Sequence, residues 1–106
     1  MIVYIKSKYL GAEAVGTYDP TTKECVVLQG SKVSDSVLNT PTFRGLRSVI
    51  KLRTKYVKDG HVTEDVTFKS CSTASNFVTG RSTNGFRTWT VDGGKKLREY
   101  LDSSCC

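Results

Sequence analysis

The segment spanning residues 42–58 constrains the fold of this chain most, because it is the longest run with helical periodicity. It holds six of the sixteen basic residues and no acidic residue. At about 100° per residue, its apolar side chains fall on one broad face. Members of that face are Phe43, Leu46, Val49, Ile50, Leu52, Tyr56 and Val57. The pattern predicts an amphipathic helix with one side in the core, ended by Asp59-Gly60.

The opposite side of this helix is predicted to be cationic. Five basic residues spaced three or four apart form one stripe there: Arg44, Arg47, Lys51, Lys55 and Lys58. Arg53 alone sits within the apolar arc. Such a stripe is either an ordinary solvated face or a surface that binds an anion, and the sequence leaves both interpretations open.

Chain length and net charge limit the kinds of protein that this sequence can encode. A chain of 106 residues with 38% apolar and 25% charged residues is typical of one folded domain, spanning residues 1–106. The net charge of +6 arises entirely within residues 44–106, which carry twelve basic and six acidic residues. A field polarised in this way attracts polyanions such as nucleic acid, although net charge also keeps small domains soluble.

No segment indicates a membrane or secretory protein. The longest apolar run, residues 2–5, is far too short to span a bilayer, and no signal-peptide pattern accompanies it. We therefore expect a cytoplasmic protein without membrane association.

The remaining patterns predict an α+β fold. Residues 13–29 are typical of a β-hairpin turning at Asp19-Pro20, and residues 62–70 alternate as a strand with one apolar face. A short helix capped by Ser70 or Ser72 should end at Gly80, and Asn84-Gly85 is typical of a tight turn. A strand over residues 86–91 and a helix over residues 95–102 complete the chain.

The predicted order is β-β-α-β-α-β-α, a small, mostly antiparallel sheet with one long and two short helices. Residues 1–10 form an edge strand or an extension, and residues 103–106 are expected to be a disordered tail.

Catalytic and metal-binding signals are weak. Glu64 and Asp65 would point to opposite faces of a strand, so they cannot flank one substrate bond. His61 is the only histidine, and the four cysteines lack CxxC spacing, so neither a catalytic grouping nor a zinc site is indicated. We expect a non-enzymatic protein with no metal and no cofactor.

A second basic set flanks the predicted turns near the end of the chain: Arg81, Arg87, Lys95, Lys96 and Arg98. Asn84 lies among them and either makes its turn or reads a base. Trp89 and Phe86 could stack on bases, but a tryptophan in a short strand is more often a core residue.

Several pieces of the chain resemble an uncharacterised bacterial domain-of-unknown-function family. The sharpest are VVLQGS at residues 26–31, FKSCSTA at residues 68–74, and GRSTNGF at residues 80–86 followed by Trp89. The others are Leu46-Arg47, Asp59-Gly60-His61-Val62, Asp92-Gly93 and Leu97. That family is attached to GIY-YIG nucleases and restriction-modification proteins and is similar to the RAMA (restriction enzyme adenine methylase associated) domain. The resemblance implies nucleic-acid binding and a nuclease or methyltransferase partner.

The sequence therefore predicts an accessory domain that binds DNA, or alternatively RNA, through phosphates. The binding residues would be Arg44, Arg47, Lys51, Lys55, Lys58, Arg81, Asn84, Arg87, Lys95 and Lys96. The alternative is a protein-interaction module that docks on an enzyme or on a second copy through Ile2, Tyr4 and Tyr9.

Overall fold

The computed structural model describes residues 1–7, 11–34, 46–81, 83–91 and 94–104. The strands are β1 (Ile2–Ser7), β2 (Ala12–Tyr18), β3 (Cys25–Val27), β4 (Val57–Lys58), β5 (His61–Val62) and β6 (Val66–Phe68). The helices are α1 (Leu46–Tyr56), α2 (Cys71–Thr79), α3 (Gly85–Thr88) and α4 (Leu97–Ser104).

The main sheet has the order β1-β2-β3-β6, and every neighbouring pair is antiparallel. Alternate residues of each strand point to one buried face, where Val3, Ala14, Cys25 and Phe68 lie. The helix α2 packs across this face against β2, β3 and β6. The predicted α+β class with a mostly antiparallel sheet is confirmed.

The predicted hairpin is confirmed as β2 and β3. Its turn is stabilised by Asp19, whose Oδ1 accepts hydrogen bonds from the backbone N–H groups of Thr21 and Thr22 at 2.8 and 3.4 Å. Because this carboxylate accepts N–H groups, its pKa is lowered from the usual value. Asp19 belongs to the polar cluster that predicts the turn, and its side chain stabilises that turn.

The dipeptide Asp59-Gly60 does not cap the long helix, which ends at Tyr56. Both residues have positive φ, 53° and 80°, and they form the two-residue turn between β4 and β5. Positive φ at both central positions is what a tight hairpin of this length needs, and Asp-Gly supplies it. The predicted helix therefore ended two residues too late, and Lys58 belongs to a strand.

The predicted strand over residues 62–70 is divided into β5 and β6. Val62 is buried in β5, and Val66 and Phe68 are buried in β6, but Glu64 between them is exposed. β5 pairs with β4 and is bridged by Lys32 to β2, whereas β6 pairs with β3. The strands β4 and β5 form a separate two-stranded sheet, so the chain bends between β5 and β6 to pass from that sheet to the main sheet.

The short helix α2 begins and ends as predicted. The Ser70 Oγ accepts a hydrogen bond of 3.2 Å from the backbone N–H of Thr73, which caps the helix. Gly80 follows in the left-handed conformation, and its N–H donates to the carbonyl of Asn76.

The strand predicted over residues 86–91 is wrong. Residues 85–88 form α3 instead, and Asn84 is its N-cap, since its Oδ1 accepts from the N–H of Phe86 at 3.0 Å. A Cβ on Gly85 would lie 2.3 Å from the carbonyl carbon of Cys71. Gly85 thus permits close contact with α2 rather than making a hairpin turn.

After α3 the chain returns to the sheet for one residue. Thr90 exchanges backbone hydrogen bonds with Tyr4 of β1, at 2.7 and 2.8 Å, and Thr90 also forms a bridge with Lys96. The final helix α4 starts two residues later than predicted and includes Ser103 and Ser104, which we expected in the tail. The predicted element order is therefore matched only in part.

Several expectations fall outside the described residues. They concern the helix start over residues 42–45 with Phe43 and Arg44, the role of Tyr9, and residues 105–106 of the predicted tail.

Candidate nucleic-acid interface

The helix α1 buries one side and exposes the other, as its periodicity predicts. Val49 is 2% exposed, and Leu52, Arg53 and Tyr56 are partly buried. The exposed side consists of cations, hydroxyl residues and one apolar residue: Arg47, Ser48, Ile50, Lys51, Thr54 and Lys55. The exposed side carries no acidic residue.

The hydrogen bonds of the Arg53 guanidinium hold α1 in its orientation. Its Nε donates to the carbonyl of Phe77 at 2.9 Å, and its Nη2 donates to the carbonyl of Val78 at 3.0 Å. Nη1 and Nη2 also donate to the carbonyl and Oγ of Ser34, at 3.0 and 2.9 Å. One guanidinium therefore joins α1, α2 and the segment that follows β3.

The acceptors of Arg53 include two carbonyls that α2 cannot satisfy by itself. Phe77 and Val78 lie in the last turn of α2, where carbonyls have no intrahelical donor. A cation at this end of a helix also interacts favourably with the helix dipole. Burial lowers the pKa of Arg53 to about 10, which still leaves it charged at neutral pH. The guanidinium is thus a C-terminal cap supplied by another helix.

The rotation of α1 differs from the predicted rotation, so part of the predicted apolar face is wrong. Ile50 was expected to point inward, but it is 48% exposed. The buried side of α1 is centred on Val49, Arg53 and Tyr56, because the four hydrogen bonds of Arg53 fix the rotation of the helix. The only sequence signal for this arrangement was a charged residue within an apolar arc.

Three cations of the predicted stripe lie on α1. Arg47, Lys51 and Lys55 are all exposed, and they are spaced four residues apart, which corresponds to about 6 Å along the axis. The Nζ of Lys55 lies 5.0 Å from the ring centroid of Tyr56. Lys58 is exposed too, but it lies on β4 and so is not part of the helical stripe.

The second basic set lies on other elements. Arg81 follows α2 and is half-buried, Arg87 is exposed on α3, and Lys95 and Lys96 are exposed just before α4. α1 packs against α2, whereas α3 packs against both α2 and α4. The first set therefore lies mainly on α1, whereas the second is divided between the end of α2, α3 and the residues before α4.

The aromatic residues considered for base stacking have structural roles. Trp89 is fully buried, and its Nε1 donates to the carbonyl of Cys71 at 2.9 Å. Its ring lies against Gly16 of β2, where a Cβ would be 3.3 Å from it. Phe86 is partly buried in an edge contact with Tyr18, with ring centroids 6.2 Å apart. The interpretation of Trp89 as a core residue is confirmed.

The candidate catalytic groups do not converge. His61, Glu64 and Asp65 are exposed, and Asp65 accepts a hydrogen bond from the backbone N–H of Gln29. Cys25 and Cys71 are buried, and desolvation raises the pKa of Cys25 to about 12, so it remains a thiol. In the described ranges, no cluster of three or more His, Cys, Asp and Glu residues could hold a metal.

These elements define a small α+β domain with a cationic helix face directed outward. The chain belongs to the family described as Domain of unknown function (DUF4357), whose model matches residues 3–101. Neither the curated proteins nor the solved structures contain a match. Among the described helices, none is long and apolar enough to cross a bilayer. The predicted membership of a family of unknown function is confirmed, whereas its link to restriction-modification proteins stays a prediction.

Proposed function

We propose that this chain is a non-catalytic accessory domain that binds nucleic acid, with DNA as the ligand, in a restriction-modification or defence setting. The observation that carries the proposal is the exposed row of Arg47, Lys51 and Lys55 on α1. Phosphate groups are the anions that such a row would contact, as point charges along a backbone.

The composition of the exposed face supports this function. α1 contains no Asp or Glu, so no carboxylate on its own helix neutralises the three cations. Ser48 is exposed beside them and offers a hydroxyl group that also suits phosphate oxygens. A face made only for solubility would more often combine both signs of charge.

The setting and the partner rest on the resemblance of residues 26–31, 68–74 and 80–86 to domains attached to nucleases and restriction-modification proteins. In that setting the domain would hold DNA for a nuclease or methyltransferase partner. The second basic set would extend the contact through Arg81, Arg87, Lys95 and Lys96 if the ligand passes from α1 towards α3 and the residues before α4.

Fluorescence anisotropy with random duplex DNA, single-stranded DNA and RNA tests the proposal. If about five phosphates are neutralised, log K falls against log salt with a slope of about −4 to −5. The double variant Lys51→Glu and Lys55→Glu should abolish binding and leave the thermal unfolding midpoint nearly unchanged, because both side chains are exposed.

A matched control separates local contacts from net charge. Lys6 and Lys69 are exposed on β1 and before α2, so the double variant Lys6→Glu and Lys69→Glu makes the same change in net charge elsewhere. We expect this control to bind with a modestly reduced affinity. Equal losses in the two double variants, or none in either, would contradict a site on α1.

The protein-interaction alternative has one observation in its favour. Ile2 and Tyr100 are 50% and 40% exposed, and together with Met1 and Val91 they line a cleft of about 270 Å³. Tyr4, also considered for this role, is partly buried. Sedimentation velocity at low and moderate salt tests self-association. An apolar contact would persist as salt rises and would be lost in Ile2→Ser.

A further inference from the structure

An exposed isoleucine lies on the cationic side of α1. Ile50 is 48% exposed, and its neighbours on that side are cations and hydroxyl residues. We propose that Ile50 contacts the C5-methyl groups of thymine, with α1 lying in the major groove of duplex DNA. The inference rests on the proposed function, and it adds the duplex form and a residue that reads bases.

The fold holds Ile50 outward rather than leaving its orientation to chance. Val49 is buried on one side of it in the sequence, and Arg53 is anchored by four hydrogen bonds three residues later. Turning Ile50 into the core would require breaking that anchor. The apolar side chain is therefore presented to solvent as a fixed feature of the helix surface.

Its position around the helix suits contact with base edges. Ile50 lies about 60° from Arg47 and about 40° from Thr54, whereas Lys51 and Lys55 lie on the other flank of Arg47. If the lysines follow one phosphate backbone, Ile50 and Thr54 face away from that backbone and into the groove. The Oγ1 of Thr54 donates to the carbonyl of Ile50 at 2.9 Å, so this hydroxyl is held close to the helix.

The chemistry of the major groove supplies a partner for such a side chain. The groove is about 12 Å wide and admits an α-helix, and thymine presents a methyl group there that apolar side chains contact. The single-stranded form lacks this defined groove, and RNA lacks the methyl group. An apolar residue among phosphate-binding cations therefore points to duplex DNA rich in thymine.

Replacing thymine by deoxyuridine tests the inference, because it removes only the methyl group. The unmodified chain should bind a thymine duplex about fourfold more tightly than the deoxyuridine duplex for each methyl group contacted, as burial of one methyl group predicts. Ile50→Ala should bind the two duplexes equally, with the salt slope unchanged.

Ile2→Ala is the matched control, because Ile2 is 50% exposed on β1 and far from α1 in the sequence. It should preserve the preference for thymine. Duplex binding without any preference for thymine, or an equal loss on both duplexes in Ile50→Ala, would overturn the inference and leave the proposed function standing. A change in self-association of Ile50→Ala in sedimentation velocity would assign the side chain to a protein contact instead. Binding to single-stranded DNA without any binding to duplex DNA would overturn the inference alone, and absence of binding to both forms at every salt concentration would overturn the proposed function as well.

Discussion

The Nη2 of Arg53 donates a 3.0 Å hydrogen bond to the carbonyl oxygen of Val78, and this contact joins the cationic helix to the end of the core helix. The same carbonyl accepts a 2.8 Å hydrogen bond from the backbone N–H of Ser34. Because α2 lies on the buried face of the sheet, this junction fixes α1 relative to the whole core. The contact between Arg53 and the C-terminal end of α2 therefore determines which side of α1 faces solvent.

Arg53→Met should destabilise the chain strongly. Methionine keeps much of the length but donates no hydrogen bond, so the carbonyls of Phe77 and Ser34 lose their Arg53 donors. We expect the free energy of unfolding to fall by about 3 kcal/mol. Urea denaturation measures this, with Arg47→Met as control, because Arg47 is exposed and should lose no more than about 0.5 kcal/mol. Equal losses in both variants would refute a capping role for Arg53.

Gly85→Ala should prevent α3 from packing on α2. The added Cβ would lie 2.3 to 2.5 Å from backbone atoms of Cys71 and Ser72, which cannot move as a flexible side chain would. We expect a loss of more than about 3 kcal/mol, or no folded protein. Gly30→Ala provides the comparison, since a Cβ there meets no atom within 4 Å and only its positive φ, 88°, is unfavourable. The free energy of unfolding of that variant, measured by thermal unfolding, should fall by about 1 kcal/mol.

Asn84→Ala should remove the cap of α3 and lower the free energy of unfolding by about 1 kcal/mol. Asn84→Asp should lose little, because a carboxylate oxygen can accept the same 3.0 Å hydrogen bond from Phe86. Chemical denaturation of the two variants under identical conditions compares them. A larger loss for Asn84→Asp than for Asn84→Ala would show that the side-chain oxygen is not acting as an acceptor here.

Stability should decline at alkaline pH through Cys25. Desolvation and the nearby Cys71 raise the pKa of this thiol to about 12 in the folded chain, whereas an unfolded cysteine ionises near about 8.5. The folded state therefore holds the proton longer, so the contribution of Cys25 is complete below about pH 8.5 and is lost as pH rises towards 12. The expected slope is about 1.4 kcal/mol per pH unit for this group.

Cys25→Ala measures that contribution. It should be less stable than the unmodified chain at neutral pH, because a buried side chain has been shortened. Between pH 9 and 11 its stability should fall less steeply, since one titrating thiol is missing, and the two curves should approach each other. Parallel curves from urea denaturation across this pH range would show that Cys25 does not titrate with unfolding.

Local signals predicted several elements correctly because the physical cause lay within a few residues. The Ser70 cap and the Gly80 end of α2 are interactions inside one helix, and Asp19 makes the turn that its own sequence signals. The burial of Trp89 followed from its size and apolar surface. For the cap, the helix end and the turn, both partners of the interaction lie within a few residues of each other.

Contacts between distant parts of the chain decided the structure of dipeptides whose local sequence allows either a turn or a helix end. Asn84-Gly85 and Asp59-Gly60 are both typical turn pairs, yet the first begins α3 and the second forms a hairpin. Glycine is required at position 85 because the backbone of Cys71, fourteen residues away, lies against it, and no pattern around Gly85 indicates that contact. Asp59-Gly60 forms a hairpin turn because β5 pairs with β4 on one side and with Lys32 on the other.

By itself, the sequence determined that α1 is amphipathic, that its outer side is cationic and that the fold is α+β, because composition and periodicity follow directly from residue order. Only the tertiary structure decided how α1 is rotated, that Lys58 leaves the helix and that Ile50 faces solvent. Hydrophobic periodicity shows which side chains avoid water, but it carries no information about the carbonyls at the end of a distant helix, which have no donor within that helix. Those carbonyls, at Phe77 and Val78, drew Arg53 inward and so set the face that the domain presents.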